Sequence, residues 1–232
     1  MSETESAAGD QFLPLLDIFI DPASAGRRID RQAPWLWPTL IIAVGTLIMG
    51  YLMVPLGLRI VQMNPPPNIP REVFQQQLPM IEKVTYITVV LTPLFIAIKL
   101  LALAGLLKLV TMMADIQLGF KKLFSLIAHS NLIVLLEGIA VFVVVRAKGD
   151  EVQTAEDLMP ALGLDLLVRG DVGKPLLAAL HFFSVFEFWF IAVLVIAFAA
   201  LARCSKLKAF WVTLPVWILG LIASVLMSLF RH

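Results

Sequence analysis

Five stretches of this chain run for about twenty residues or more with no more than two charges in each. They are Trp37–Leu58, Tyr86–Met112, Leu123–Val145, Leu176–Ala202 and Ala209–Leu229. That length is what an α-helix needs to cross a hydrocarbon layer about 30 Å thick. A soluble domain carries about 25% charged residues. Here 15% of 232 residues are charged and 59% are hydrophobic. A water-facing fold has no interior large enough for five such segments. In lipid every backbone polar group must find its partner within the segment, so the spans are helices. The fold class that follows is all-α: a polytopic five-helix transmembrane bundle with short interfacial helices at its N-terminal side.

The net charge of +1 gives no footing for a nucleic-acid partner. The single cysteine, Cys204, forms no internal disulfide. Arg203 and Lys206 flank it, which offers a somewhat acidified thiol as one reading; the default is an inert thiol near the headgroups. Residues 1–11 are acidic and polar, lack the features of a cleavable signal peptide, and read as a disordered tail. An odd number of spans places the termini on opposite sides. The short loops carrying Lys121, Lys122, Arg203, Lys206 and Lys208 are densely basic, as is the segment with Arg27, Arg28 and Arg31. Basic loops stay cytoplasmic, which predicts the N-terminus inside and the C-terminus outside.

Residues 12–35 read as an interfacial amphipathic segment, ahead of a membrane domain over 36–232. Phe12, Leu15, Leu16, Phe19 and Ile20 can form one apolar face. Asp21 followed by Pro22 is the signature of a helix N-cap with proline in the first turn. Arg27, Arg28 and Arg31 suit the C-terminal end of that helix and anionic headgroups. Trp35 and Trp37 mark the membrane interface. The expectation is a platform lying on the membrane surface: an ordinary anchor, or a surface for a partner.

Lys99 interrupts "TPLFIAIKLLALAGLLKL". Two acids share the middle of other spans, Glu137 in "LIVLLEGIAVF" and Glu187 in "FFSVFEFWFIAV". Along straight helices Lys99 and Glu137 stand about 13 Å from Lys108 and Arg146, and Glu187 about 19 Å from Lys174. An isolated charge at such depth costs about 2.5 kcal/mol or more. Thr85, Thr88, Thr92 and Lys99 share a helical stripe, as do Ser130 and Glu137, while Ser184 and Glu187 are three apart, with His181 one turn earlier. The economical packing turns these stripes together into an intramembrane polar cluster of Lys99, Glu137, Glu187, Thr92, Ser130 and Ser184. Such a cluster is either interhelical glue that sets register or a proton or ion relay. Pro55, Pro93 and Pro215 should kink their helices.

No His-Glu-x-x-His, Gly-x-Ser-x-Gly, Cys-x-x-Cys, Walker-type loop or dinucleotide fingerprint occurs. No catalytic residue, cofactor site or metal site is read, and the expectation is a chain that is not an enzyme. His129 and His181 are single histidines on different helices and read as packing residues.

Asp17, Ile18, Phe19 and Pro22 ("DIF-IDP"), "GFKKLFSLIAHS" (Gly119–Ser130) and "FEFWFIAVLVIAFAALARCSKLKAF" carry a resemblance over nearly the whole chain after the tail. The pattern resembles the Yip1-domain membrane proteins, in its bacterial form. The resemblance implies a five-helix integral membrane protein with a cytoplasmic N-terminus. The resemblance supplies an architecture more than a function, and the leading reading is a non-enzymatic scaffold or interaction protein of that type, in membrane organisation or trafficking, working by helix packing and lateral or surface association. The other reading is a small transporter or export component with a Lys/Glu polar centre. Implied partners are the lipid bilayer and a membrane-protein partner or a second copy. Eukaryotic relatives contact Rab-type GTPases. This chain has "RQAPWLWP" where those relatives carry Asp-Leu-Tyr-Gly-Pro, so GTPase binding is not expected. The implied location is a bacterial inner membrane, or endoplasmic reticulum or Golgi in a eukaryote.

Overall fold

The computed structural model describes residues 13–168 and 172–229. The disordered-tail reading for residues 1–11, and Phe12, lie outside the described residues. Eight α-helices occur among them: α1 (residues 13–20), α2 (Pro22–Gln32), α3 (Leu36–Met63), α4 (Arg71–Met113), α5 (Phe120–Lys148), α6 (Lys174–Phe182), α7 (Val185–Ala202) and α8 (Lys206–Leu229). Five of them, α3, α4, α5, α7 and α8, are long and apolar enough to cross a membrane.

The helices run on past the apolar stretches. The 43 residues of α4 begin fifteen positions before Tyr86 and span roughly 65 Å, more than a bilayer core requires. Pro55, Pro79, Pro93 and Pro215 all sit inside continuous helices.

The expected fourth span does break. Leu176–Ala202 divides into α6 and α7 at Phe183–Ser184. Ser184 is extended (φ −86°, ψ 164°), and its hydroxyl accepts the N–H of Glu187 at 3.1 Å. A side-chain acceptor at that position satisfies a first-turn donor and starts a new helix. The chain at Gly163 forms an antiparallel bridge to Ser184, and the Leu164 N–H donates to the Phe183 carbonyl at 3.2 Å. A Cβ on Gly163 would meet the His181 carbonyl oxygen at 2.6 Å, so only glycine fits this approach. Irregular backbone in a membrane protein persists where protein groups satisfy it, as here.

The chain divides into two compact units. The first comprises Met1–Ile41, Ile98–Val134 and Ala161–His232. Its core gathers Ile18, Ile29, Leu100, Leu107, Leu126, Leu194 and Phe198, all with essentially no exposed surface. In it α2 packs on α7, and α8 on both α6 and α7.

The second unit comprises Ile42–Ala97 and Leu135–Pro160. Ile60, Val145 and Val152 form its small core, with Met53, Leu56, Val141 and Leu158 against it. Gly45 faces Leu135 and Gly50 faces Val89, so small residues set the helix approach. Arg59 closes the end of α5. Its guanidinium donates to the Asp150 carboxylate (2.6 Å) and to the carbonyls of Gly149 (3.2 Å) and Val152 (3.1 Å).

Candidate functional site

The N-terminal helices do not lie alone. Asp21 accepts the Ser24 N–H at 3.1 Å as the α2 N-cap, and Pro22 opens the helix. Around that turn the chain folds back on itself. Arg28 Nε donates to the Asp17 carboxylate at 2.7 Å. A straight helix would set residues eleven apart about 16 Å apart along its axis, too far for this contact.

Ala25, Gly26 and Ile29 form the buried face of α2. Three contacts then trace α2 and its preceding turn along α7. Asp30 pairs with Arg203 just past the end of α7 (3.2 Å), Gly26 abuts Ala197, and the Phe19 ring meets Trp189 edge-on with centroids 6.0 Å apart. Trp189 lies about 20 Å along α7 from Ala202. Leu16 and Ile20 of the expected apolar face, on α1, are exposed, whereas the apolar face of α2 is covered by α7. The physical cause is Gly26, whose missing side chain lets the two backbones meet. A Cβ there would sit 2.2 Å from the Ala197 carbonyl oxygen.

The opposite face is charged. Arg27 donates to the Ser24 hydroxyl at 2.7 Å and lies 3.9 Å from the Asp21 carboxylate. Arg27 and Asp21 keep 56% and 55% of their side-chain surface exposed, Arg28 and Asp17 38% and 24%. Arg31 is exposed.

At the Arg203 end Asp30 joins three segments, accepting from Lys122 on α5 (2.5 Å) and from Arg203 (3.2 Å). The Lys122 hydrogen bond, reinforced by Arg203, holds the Asp30 carboxyl below its usual range. Cys204 is not acidified. Burial pushes its thiol up, and the nearby Lys208 charge opposes this only in part.

The residues of the expected intramembrane cluster are divided between the units: Lys99, Ser130, Ser184 and Glu187 belong to the first, Thr92 and Glu137 to the second. Lys99 is exposed on α4, one position before the fully buried Leu100, and so projects about 100° away from the Leu100–Ala104–Leu107 face. The stripe needs no outside partner: Thr85, Thr88 and Thr92 each hydrogen-bond the carbonyl four residues back, at Ile81, Val84 and Thr88.

Glu187 is half-buried in the first turn of α7, so a distance measured along one helix from Lys174 does not apply to it. Ser184 is buried and serves as its cap. Glu137 is half-buried on the part of α5 in the second unit. Lys99, Glu137 and Glu187 are each engaged by a neighbour. Ser130 is fully buried, and its hydroxyl has no hydrogen-bond partner among the described residues.

His129 Nδ1 lies 2.7 Å from the Ser125 carbonyl oxygen, and Ser125 in turn donates to the Pro34 carbonyl (3.1 Å). His181 leaves the expected stripe and pairs with Asp165 at 2.7 Å. That contact, like Asp17–Arg28 and the Asp30 junction, joins residues far apart in sequence. Only complementary charge in different segments hinted at them.

Five helices long and apolar enough to cross a membrane define an integral polytopic membrane protein. The family model described as the Yip1 domain matches residues 16–227, and the chain belongs to that family. No curated protein and no solved structure matches it.

Proposed function

We propose that this chain is a non-enzymatic membrane scaffold that acts by lateral association, with the charged face of the α1–α2 hairpin as its contact surface. One observation carries this reading. Asp17, Asp21, Arg27 and Arg28 stay partly exposed on a hairpin whose second helix runs along α7, with Asp30 at Arg203, Gly26 at Ala197 and Phe19 at Trp189. The 18 residues of α7 are about 27 Å long and just cover a bilayer core. Charged side chains beside a membrane-spanning helix are costly where they face lipid, even when paired as Asp17–Arg28 and Asp21–Arg27 are. A polar surface on a neighbouring protein or a second copy removes that cost. The motif residues Asp17, Ile18, Phe19 and Pro22 support the same reading, because each helps hold the hairpin in place. The dense basic charge of the short loops supports a cytoplasmic N-terminus in a bacterial inner membrane.

The exposure of Lys99 favours a second reading, a transporter or export component with Lys99, Glu137 and Glu187 at its polar centre. Cysteine placed at Ser24 in a Cys204→Ser background separates the two in native membranes. Lateral association yields a cross-linked species with a short bifunctional thiol reagent and protection from a charged, membrane-impermeant one. An aqueous path yields ready modification by the impermeant reagent and no cross-link, and that result refutes the scaffold. In parallel, Lys99→Met with Glu137→Gln and Glu187→Gln leaves a scaffold working and abolishes coupled transport.

A further inference from the structure

Between α2 and α3 the chain leaves a cleft of about 180 Å³ whose lining includes Gln32, Trp35, Leu36, Trp37 and Lys121. Its walls are tied together. Ala33 turns the chain sharply in the left-handed region (φ 44°) and returns its N–H to the Ile29 carbonyl (2.9 Å). The Ser125 hydroxyl holds the Pro34 carbonyl at 3.1 Å, and Trp35 packs edge-on against Phe124 with centroids 5.8 Å apart. Ser125 and Lys121 are four apart on α5 and share a face, so the same tie brings Lys121 to the cleft.

The charge is unbalanced. Asp30, the acid at this end of α2, is taken by Lys122 and Arg203. Among the described residues Lys121 and Arg31 have no acidic partner, and both are exposed.

The geometry points to a site for one anionic glycerophospholipid at the end of α3 where that helix enters the bilayer. The Lys121 ammonium and the Gln32 amide meet the phosphate. Trp35 and Trp37, each 39% exposed, take the glycerol and carbonyl level, where amphipathic rings belong. One acyl chain follows Leu36 and Leu40, an exposed i, i+4 pair on the first turns of α3. The apolar sill is what selects a lipid over a free phosphate: a single ammonium in a half-open cleft gives an aqueous anion little that water does not.

The test is native mass spectrometry of the full chain in neutral detergent, with phosphatidylglycerol and phosphatidylcholine added in equal amounts. The expected result is preferential retention of phosphatidylglycerol. Lys121→Gln should lower that retention roughly fivefold, the factor one basic residue near an anionic surface supplies. Lys206→Gln, on another loop, should leave it unchanged. Equal retention of the two lipids overturns the proposal, as does an unchanged Lys121→Gln variant. Displacement of the lipid by millimolar inorganic phosphate overturns it too, since the occupant is then a free anion. The site is independent of lateral association, and cross-linking at Ser24 reads the latter separately.

Discussion

Replacing Gly26 by alanine reverses sign according to where α2 lies. On a surface-bound helix the change removes a poor helix former from an interior position and stabilises by roughly 0.8–1.0 kcal/mol. Against α7 the added Cβ stands 2.2 Å from the Ala197 carbonyl oxygen, 3.0 Å from its carbon and 3.1 Å from its Cα. The first is more than about 1 Å short of an ordinary van der Waals contact. All three atoms are backbone, so no rotamer change relieves the clash, and α2 must move off α7 as a body. Overpacking of this kind costs about 1–3 kcal/mol. The separation also loosens the Phe19–Trp189 contact and strains Asp30–Arg203 at the other end.

The measurement is thermal unfolding of the detergent-purified chain, read beside cross-linking between cysteines placed at Phe19 and Trp189 in a Cys204→Ser background. Gly26→Ala should lower the midpoint by several degrees and weaken the cross-link. A raised midpoint refutes the close approach at Gly26, and absence of the cross-link from the parent double-cysteine protein refutes the packing of α2 on α7, and with it the argument for charges held along that helix.

Two further outcomes follow from the same geometry. Asp30→Asn removes the anionic partner of Lys122 and Arg203 and should destabilise by about 1 kcal/mol, most of it from the Lys122 side because Arg203 is 85% exposed. Because the folded-state Asp30 carboxyl is held below its unfolded value, its contribution is full above the unfolded value and fades as pH falls through the folded one. Urea unfolding of wild type should therefore weaken on acidification through that window, while Asp30→Asn loses the corresponding part of the slope. Ser184→Ala should cost about 1 kcal/mol and raise amide exchange over residues 185–188, whereas Ser184→Asp, which still caps, should restore protection.

The sequence alone determined that the chain lives in lipid, that its fold is helical and that five segments can cross. These properties depend on the solvent and on one helix at a time: apolar length, internal backbone pairing and the Asp21–Pro22 start of α2 are all local. The break at Phe183–Ser184 was hidden because an apolar run reads alike whether its helix is continuous or capped midway, and the Gly163 chain that stabilises the break is twenty-one residues away. The stripe through Lys99 was legible only as a direction, because helical periodicity does not say what stands there, and a threonine that bonds its own helix looks the same as one reaching across. Tertiary structure alone decided that α2 lies on α7 and that Asp30 gathers Lys122 and Arg203. Both depend on how closely two separate backbones can approach, and at Gly26 that distance is set by the absence of a single carbon atom.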